Sequence, residues 1–493
     1  MSAIKNLFGQ TIVYGFSSVL ARVLNFLLVP LYTILFIPSE YAIVSEMYAY
    51  AALFMVLGSF GMETTFFRFM QAEKNQKNTN TFSTAFFFVL FNGCVLSALG
   101  FFFQDKIARI IRYDAHPEYI TYFIFIIALD LLSIIPFALL RQQNKAFKFA
   151  IFKTLNICTN IFFNIFFLLI CPELLSHPST SNIVAIFYNP DISVGYVFIS
   201  NLIASVITLI MLVPDIKNNI NKFNRALFKK MISYAWPILV AGIAFIINET
   251  ADKILIKYLL PKGVAMRELG IYSACYKLSI FMTLFVQAYR FAAEPFFFNQ
   301  FNRPDSKKIY AIMLDFFVLF SLMIFLFVVL YIDIIKLIIP NKLYHEGIII
   351  IPIVLMANIF LGIYYNLSVW YKVTNLTKYA AIISLCGAAA TIVLNFTFIP
   401  LYGYIAAAWT TLICYLIMTT LSFYLGQKNF KINYNLKSLF KYFGVAISLF
   451  LLSNIFQQSY FNIQIDNTII FLIYLIFMYW QIKKIFKQTA PSL

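Results

Sequence analysis

The sequence predicts an all-α polytopic membrane protein of about fourteen transmembrane helices, built as two six-helix parallel repeats followed by two more helices. Three observations lead there. Apolar stretches follow one another from about Ile12 to Ile485 with short polar loops between them. The chain is 62% hydrophobic and only 12% charged, where an ordinary soluble domain carries about 25% charged residues. Short sequence matches also recur at offsets of 228 to 231 residues. A helix rising about 1.5 Å per residue needs about 20 apolar residues to cross about 30 Å of hydrocarbon, and each stretch supplies that length.

The first span, 11–37, follows a segment whose one basic residue is Lys5. It is longer than a signal-peptide core and lacks a small-residue cleavage site, so it is read as a retained helix. Spans 40–62, 81–104, 119–140, 149–171 and 194–214 complete a first bundle, 1–225. Pro172 to Ser193, the longest interhelix stretch, carries no Lys or Arg and is read as a loop. Spans 233–256, 268–293, 309–332, 347–370, 379–399 and 403–424 form a second bundle, 226–430. Spans 440–457 and 467–485 fill 431–493, and no segment is left for a soluble catalytic domain.

The net charge of +17 invites a nucleic-acid reading, but the placement of the charges opposes it. With the N-terminus in the cytoplasm, the loops on that side hold 25 Lys and Arg and the opposite loops hold 8. This asymmetry is the positive-inside rule, and it predicts that both termini are cytoplasmic. No nucleic-acid partner is expected. Cys94, Cys158, Cys171, Cys275, Cys386 and Cys414 lie in or at the ends of apolar spans without CxxC spacing, and read as small packing residues. His116, His177 and His345 are far apart in outward loops, so neither a metal nor any other cofactor is expected. No DxD pair, Walker loop or GxSxG elbow is present.

The repeat organises the chain. Glu40-Tyr41-Ala42-Ile43-Val44-Ser45 with Tyr48 returns as Glu268-Leu269-Gly270-Ile271-Tyr272-Ser273 with Tyr276. Lys148-Phe149-Ala150 matches Lys378-Tyr379-Ala380, and Arg141 and Asn164 match Lys372 and Asn395. An even number of helices separates the copies, so both insert in the same orientation, related by an axis along the membrane normal. Such repeats suit a protein that rocks two bundles around a central site.

Several of these stretches resemble a known family. Ala21-Arg22, the run through Pro30, Leu31, Pro38 and Glu40, then Gly61 and Arg68, resemble the opening of the polysaccharide-type (Wzx-like) flippases of the multidrug/oligosaccharidyl-lipid/polysaccharide exporter superfamily. Ala251-Asp252-Lys253-Ile254-Leu255 through Ser273 to Pro295 resembles their seventh and eighth helices. Asn395, Pro400, Gly403 and Ala407-Ala408 resemble their helix 11–12 hairpin. The resemblance spans nearly the whole chain. It implies a protein of the bacterial inner membrane that is not an enzyme, and that moves an undecaprenyl-diphosphate-linked oligosaccharide from the inner to the outer leaflet. The implied partners are that lipid-linked sugar, the bilayer and polysaccharide assembly proteins.

Ionised groups at membrane depth cost at least about 2.5 kcal/mol and therefore mark cavities or pairs. The basic candidates for substrate binding are Arg22, Lys253 and Arg290. A guanidinium binds a diphosphate through two parallel hydrogen bonds; the alternative for Arg22 is a structural ion pair. In the related lipid II flippases an arginine at the end of a similar motif faces the central cavity, which the resemblance carries to Arg22. Lys277 snorkels or binds. Asp130, Glu249 and Asp252 are the candidate coupling groups, and the offset of 228 places Glu249 beside the counterpart of Arg22. Glu63, Arg68 and Glu294 at helix ends are candidate gate residues or ordinary interfacial charges, and Tyr272, Tyr276, Tyr364 and Tyr365 are candidate sugar contacts in a chain whose aromatics mostly serve lipid contact and interfacial belts. The competing readings are a cation-coupled multidrug exporter of the same superfamily and a polytopic polysaccharide polymerase or ligase.

Overall fold

The computed structural model describes residues 19–72, 80–301, 303–374, 376–456 and 463–489. Lys5 and the opening of the first predicted span, 11–18, lie outside them. All regular structure among the described residues is helical. Hydrocarbon offers the backbone no hydrogen-bonding partners, so each spanning segment must satisfy its own amides and carbonyls.

Among the described residues, eleven helices are long and apolar enough to cross a membrane, or twelve with one bent pair taken as a single span. In chain order the helices are α1 (Val19–Leu35), α2 (Pro38–Met70), α3 (Thr81–Phe102), α4 (Glu118–Gln142), α5 (Ala146–Ser176), α6 (Gly195–Asn219) and α7 (Arg225–Leu259). Next come α8, bent by 52° between Lys262–Lys277 and Ile280–Phe298, then α9 (Ser306–Leu330) and α10 (Lys342–Val373). Lys378–Asn429 breaks at Gly403, where φ is 61° and ψ −147°. Unbroken, at about 1.5 Å per residue, it would reach about 78 Å, far beyond any bilayer. Two helices therefore meet there, α11 (378–402) and α12 (404–429), followed by α13 (Leu436–Phe456) and α14 (Ile463–Thr489). The fourteen spans expected from sequence exceed this count: α1 is shorter than the other helices, and α11 and α12 together make one of the eleven.

The chain forms two compact units, Met1–Ile254 and Leu255–Leu493. In the first, α4 is the central helix. Its Leu131, Ile135, Leu139 and Leu140 are fully covered by Phe82 and Val89 of α3, Phe149 of α5 and Leu212 of α6. Helix α2 breaks where Phe60 and Gly61 both adopt positive φ. A Cβ on Gly61 would lie 2.8 Å from Ile238, so this turn seats directly on α7. The Phe60 ring closes the joint against Phe88 and Trp236.

Several elements run further than the apolar lengths suggested, among them α7, which opens at Arg225 and not near 233. Helix α2 continues past residue 62 to Met70 because the turns after Gly61, though carrying Glu63 and Arg68, bury Met62, Thr65 and Phe66. Helix α5 continues past 171 through a π-helical turn, Phe166–Ile170. Pro172 then falls at the start of the next helical segment, where its missing N–H costs least. The stretch read as a loop therefore holds the end of α5, a short helix at Ser181–Val184 and a 3₁₀ turn at Pro190–Ile192.

In the second unit α10 is central. Ala357, Leu361, Trp370 and Tyr371 pack with Ile383 of α11 and Cys414, Tyr415 and Met418 of α12. A methyl on Gly362 would overlap the Phe317 ring of α9, so the missing side chain permits that close crossing. Helices α13 and α14 dock on α9, with Tyr474 donating to the Leu319 carbonyl at 2.9 Å and Asn467 to that of Leu330 at 2.7 Å.

Candidate functional site

Each unit has its own polar interior. In the first, tyrosines of α1 and α2 meet amides of α5 and α6. Tyr32 donates to Asn164 at 2.9 Å, and Asn201 donates to Tyr48 at 2.8 Å. Ser205 of α6 donates to the Asp130 carboxylate at 2.7 Å, and Asn156 donates to Thr208 at 2.8 Å. Lys153 lies within electrostatic range of both Asp130 and Glu63. Glu63 is bound by Arg141 at 2.7 Å, and Asp215 by Lys148 at 2.7 Å. Because hydrocarbon supplies no water to polar groups, they line up with one another across the helices.

In the second unit a small, open cleft lies between α8 and α10. Its charged lining is Arg290, Glu294 and Lys372, with Tyr289, Tyr365 and Phe297 around them. The two Glu294 oxygens divide their attention, Oε1 meeting Lys372 Nζ at 2.8 Å and Oε2 facing Arg290 Nε at 3.7 Å. The Arg290 guanidinium lies 4.7 Å above the Tyr365 ring, a cation–π arrangement that fixes its plane. The Tyr289 hydroxyl donates to Asn366 at 2.6 Å, which holds that ring against the wall.

The two sites are related by the repeat. Glu63 and Glu294 stand 231 residues apart, as do their partners Arg141 and Lys372, and in both copies the pair is separated by 78 residues. The four charges therefore occupy equivalent places at the ends of equivalent helices. The position equivalent to Arg290 is Ser59, so the second copy adds a cation beside the pair, whereas Asp130 and Lys153 of the first copy correspond to Leu361 and Ser384.

A profile of polysaccharide biosynthesis proteins matches residues 7–301, more than half the chain. The chain belongs to that family. No curated protein matches the sequence. Among solved structures, the lipid II flippase MurJ in an inward closed conformation superposes with a TM-score of 0.71 at 16% identity, covering 96% of this chain and 99% of that one. An inward-facing multidrug resistance MATE family transporter of the MOP superfamily gives 0.63 at 10% identity, covering 85% and 94%. A mutant of the Vibrio cholerae MATE transporter VcmN gives 0.61 at 14%, covering 87% and 97%. At these identities the likeness establishes the fold, that of multi-pass transporters and flippases.

The residues singled out from sequence fall as follows in this family member. Arg22 is exposed on α1, and Glu249 is half-buried on α7. Lys253 donates to the Glu249 carbonyl at 2.9 Å and lies 3.3 Å from the buried Asp252. Arg290 and Glu294 come together in the α8–α10 cleft. Arg68 lies over the Tyr234 ring at 4.7 Å. Of the tyrosines, Tyr272 is fully covered, with the half-buried Tyr276 ring 5.7 Å from it. Tyr364 is buried beside Tyr371, whereas Tyr365 lines the cleft. Sequence reasoning matched Arg141 with Lys372 and Asn164 with Asn395 as repeat positions but gave them no partners, and it did not single out Asn156 or Asn201. The 231-residue spacing from Glu63 to Glu294 was the available signal for the two ion pairs.

Proposed function

We propose that this protein is a flippase carrying an undecaprenyl-diphosphate-linked oligosaccharide, a unit of O-antigen, capsule or exopolysaccharide, from the inner to the outer leaflet. It works by alternating access, with 1–225 and 226–430 as the two moving bundles and 431–493 as an addition. The observation that carries the reading is membership of a polysaccharide biosynthesis family on a fold shared over 96% of the chain with a lipid II flippase.

The obstacle to flipping is moving a charged, hydrated head group through hydrocarbon, and no covalent bond changes, so the protein is not an enzyme. Arg22, Lys253 and Arg290 supply positive charge to the head group. The polyprenyl tail stays in lipid. Glu249, with Asp130 and Asp252 behind it, links the cycle to a cation gradient, and Glu63, Arg68 and Glu294 close the ends. The protein resides in the inner membrane with both termini in the cytoplasm.

The competing reading, a cation-coupled multidrug exporter, is favoured by the MATE-type likeness. Against it, the α8–α10 cleft sets two cations against one carboxylate, which repels the cationic compounds such pumps carry. Complementation of a flippase-deficient strain tests the proposal: the native chain restores surface polysaccharide, Arg22→Ala does not, and Arg22→Lys restores part, since a point charge attracts diphosphate without the bidentate geometry. Full function of well-inserted Arg22→Ala removes that residue from the binding role.

A further inference from the structure

The cleft between α8 and α10 differs from its repeat equivalent in charge balance. In the first unit Arg141 meets Glu63, one cation for one carboxylate, and Ser59 stands at the position equivalent to Arg290. In the second, Arg290 and Lys372 line the cleft with Glu294 alone. That carboxylate bridges both cations, one oxygen to each, the posture a phosphate would take between a lysine and an arginine. Arginine has five N–H donors and lysine three, more than one carboxylate can occupy. The ring of Tyr365 orients the guanidinium in advance, and Phe297 and Val369 give the cleft an apolar floor that strengthens charge interactions above it.

We propose that this cleft is a docking site for a diphosphate group and that Glu294 acts as its resident competitor, occupying Arg290 and Lys372 until a diphosphate displaces it. The incoming group brings two or three negative charges where the carboxylate brings one, so exchange favours the diphosphate and frees Glu294. The carboxylate thereby keeps weaker anions, such as the head groups of bulk phospholipids with a single charge, from holding the site. The recognised chemistry is the diphosphate itself, free or at the head of a polyprenyl lipid. Only the lipid source rests on the flippase reading above.

The test is binding to the full chain by titration calorimetry, with inorganic diphosphate in detergent and with polyprenyl diphosphate in nanodiscs. Glu294→Gln removes the competing charge, and we expect it to bind diphosphate about three- to tenfold more tightly than the native chain, the scale of releasing two partly exposed ion pairs. Arg290→Gln and Lys372→Met each weaken binding at least about tenfold, the scale of losing one hydrogen bond to a charged group. Glu294→Ala carries the same expectation where the glutamine variant does not fold. A gain with the lipid alone assigns the lipid as source; a gain with inorganic diphosphate alone assigns the free anion. Unchanged or weaker binding by both Glu294 variants overturns the proposal, as does unchanged binding by Arg290→Gln. Transport assayed on the same preparations separates the two readings: transport without a Glu294 effect removes the competitor and leaves the flippase, whereas a Glu294 effect without transport does the reverse.

Discussion

Glu249 shows how far single residues were legible. Its apolar surroundings mark it as costly at membrane depth, and the structure adds that its carbonyl holds Lys253, which also meets Asp252. If Glu249 and Arg22 pair in the absence of substrate, a bound diphosphate releases the carboxylate and makes it available for coupling. Glu249→Gln is therefore expected to bind substrate, turn over slowly and lose its response to an imposed pH gradient in proteoliposomes; an unchanged response moves the coupling role to Asp130. Other residues were harder to see. Sequence reasoning named Glu63 and Glu294 as end charges, yet their partners lie 78 residues away, a separation that leaves no local periodicity. Asn156 and Asn201 were invisible for a different reason: one amide in an apolar span becomes informative only when the helix facing it is known.

At the scale of elements, apolar length revealed nearly every helix, because each must satisfy its own backbone in lipid. It located the ends less well. The last turns of α2 carry charges yet bury Phe66, and α5 passes through a π turn into Pro172. The joint between α11 and α12 rests on two residues that the sequence matched separately. Gly403 adopts a backbone conformation open essentially to glycine alone. Glu268 accepts the first N–H of α12, from Tyr404, at 3.1 Å. Its repeat counterpart, Glu40, accepts the Ile37 N–H at the start of α2. Both glutamates thus cap helix starts, one on its own helix and one across to another. Glu268→Ala is expected to lose about 0.5–2 kcal/mol of stability, as other N-cap removals do. Gly403→Ala loses more, since a Cβ there also collides with the Glu268 carboxylate. Thermal unfolding in detergent measures both, and equal melting temperatures for native and Gly403→Ala would show that the joint is not strained.

For the whole molecule, composition and repeat predicted the polytopic helical architecture, and the family match and MurJ-like fold agree with it. The repeat also reappears as chemistry, in matched Glu–Arg and Glu–Lys pairs at equivalent helix ends. The proposed orientation, both termini in the cytoplasm, rests on the 25-to-8 partition of basic residues. Reporter fusions after Leu493 are expected to signal from the cytoplasmic side, and an external signal would reverse the topology or change the span count by one. What sequence could not convey is which charges share a cavity, because that depends on helix rotation and on partners in distant segments. Transport of a diphosphate-linked sugar is decided by purified protein in sealed liposomes holding a labelled polyprenyl-diphosphate oligosaccharide. The label is expected to cross to the opposite leaflet at a rate that depends on the protein and falls in Arg22→Ala. Movement of cationic drugs by the same preparation, with the lipid-linked sugar left in place, would make the protein a drug exporter and not a flippase.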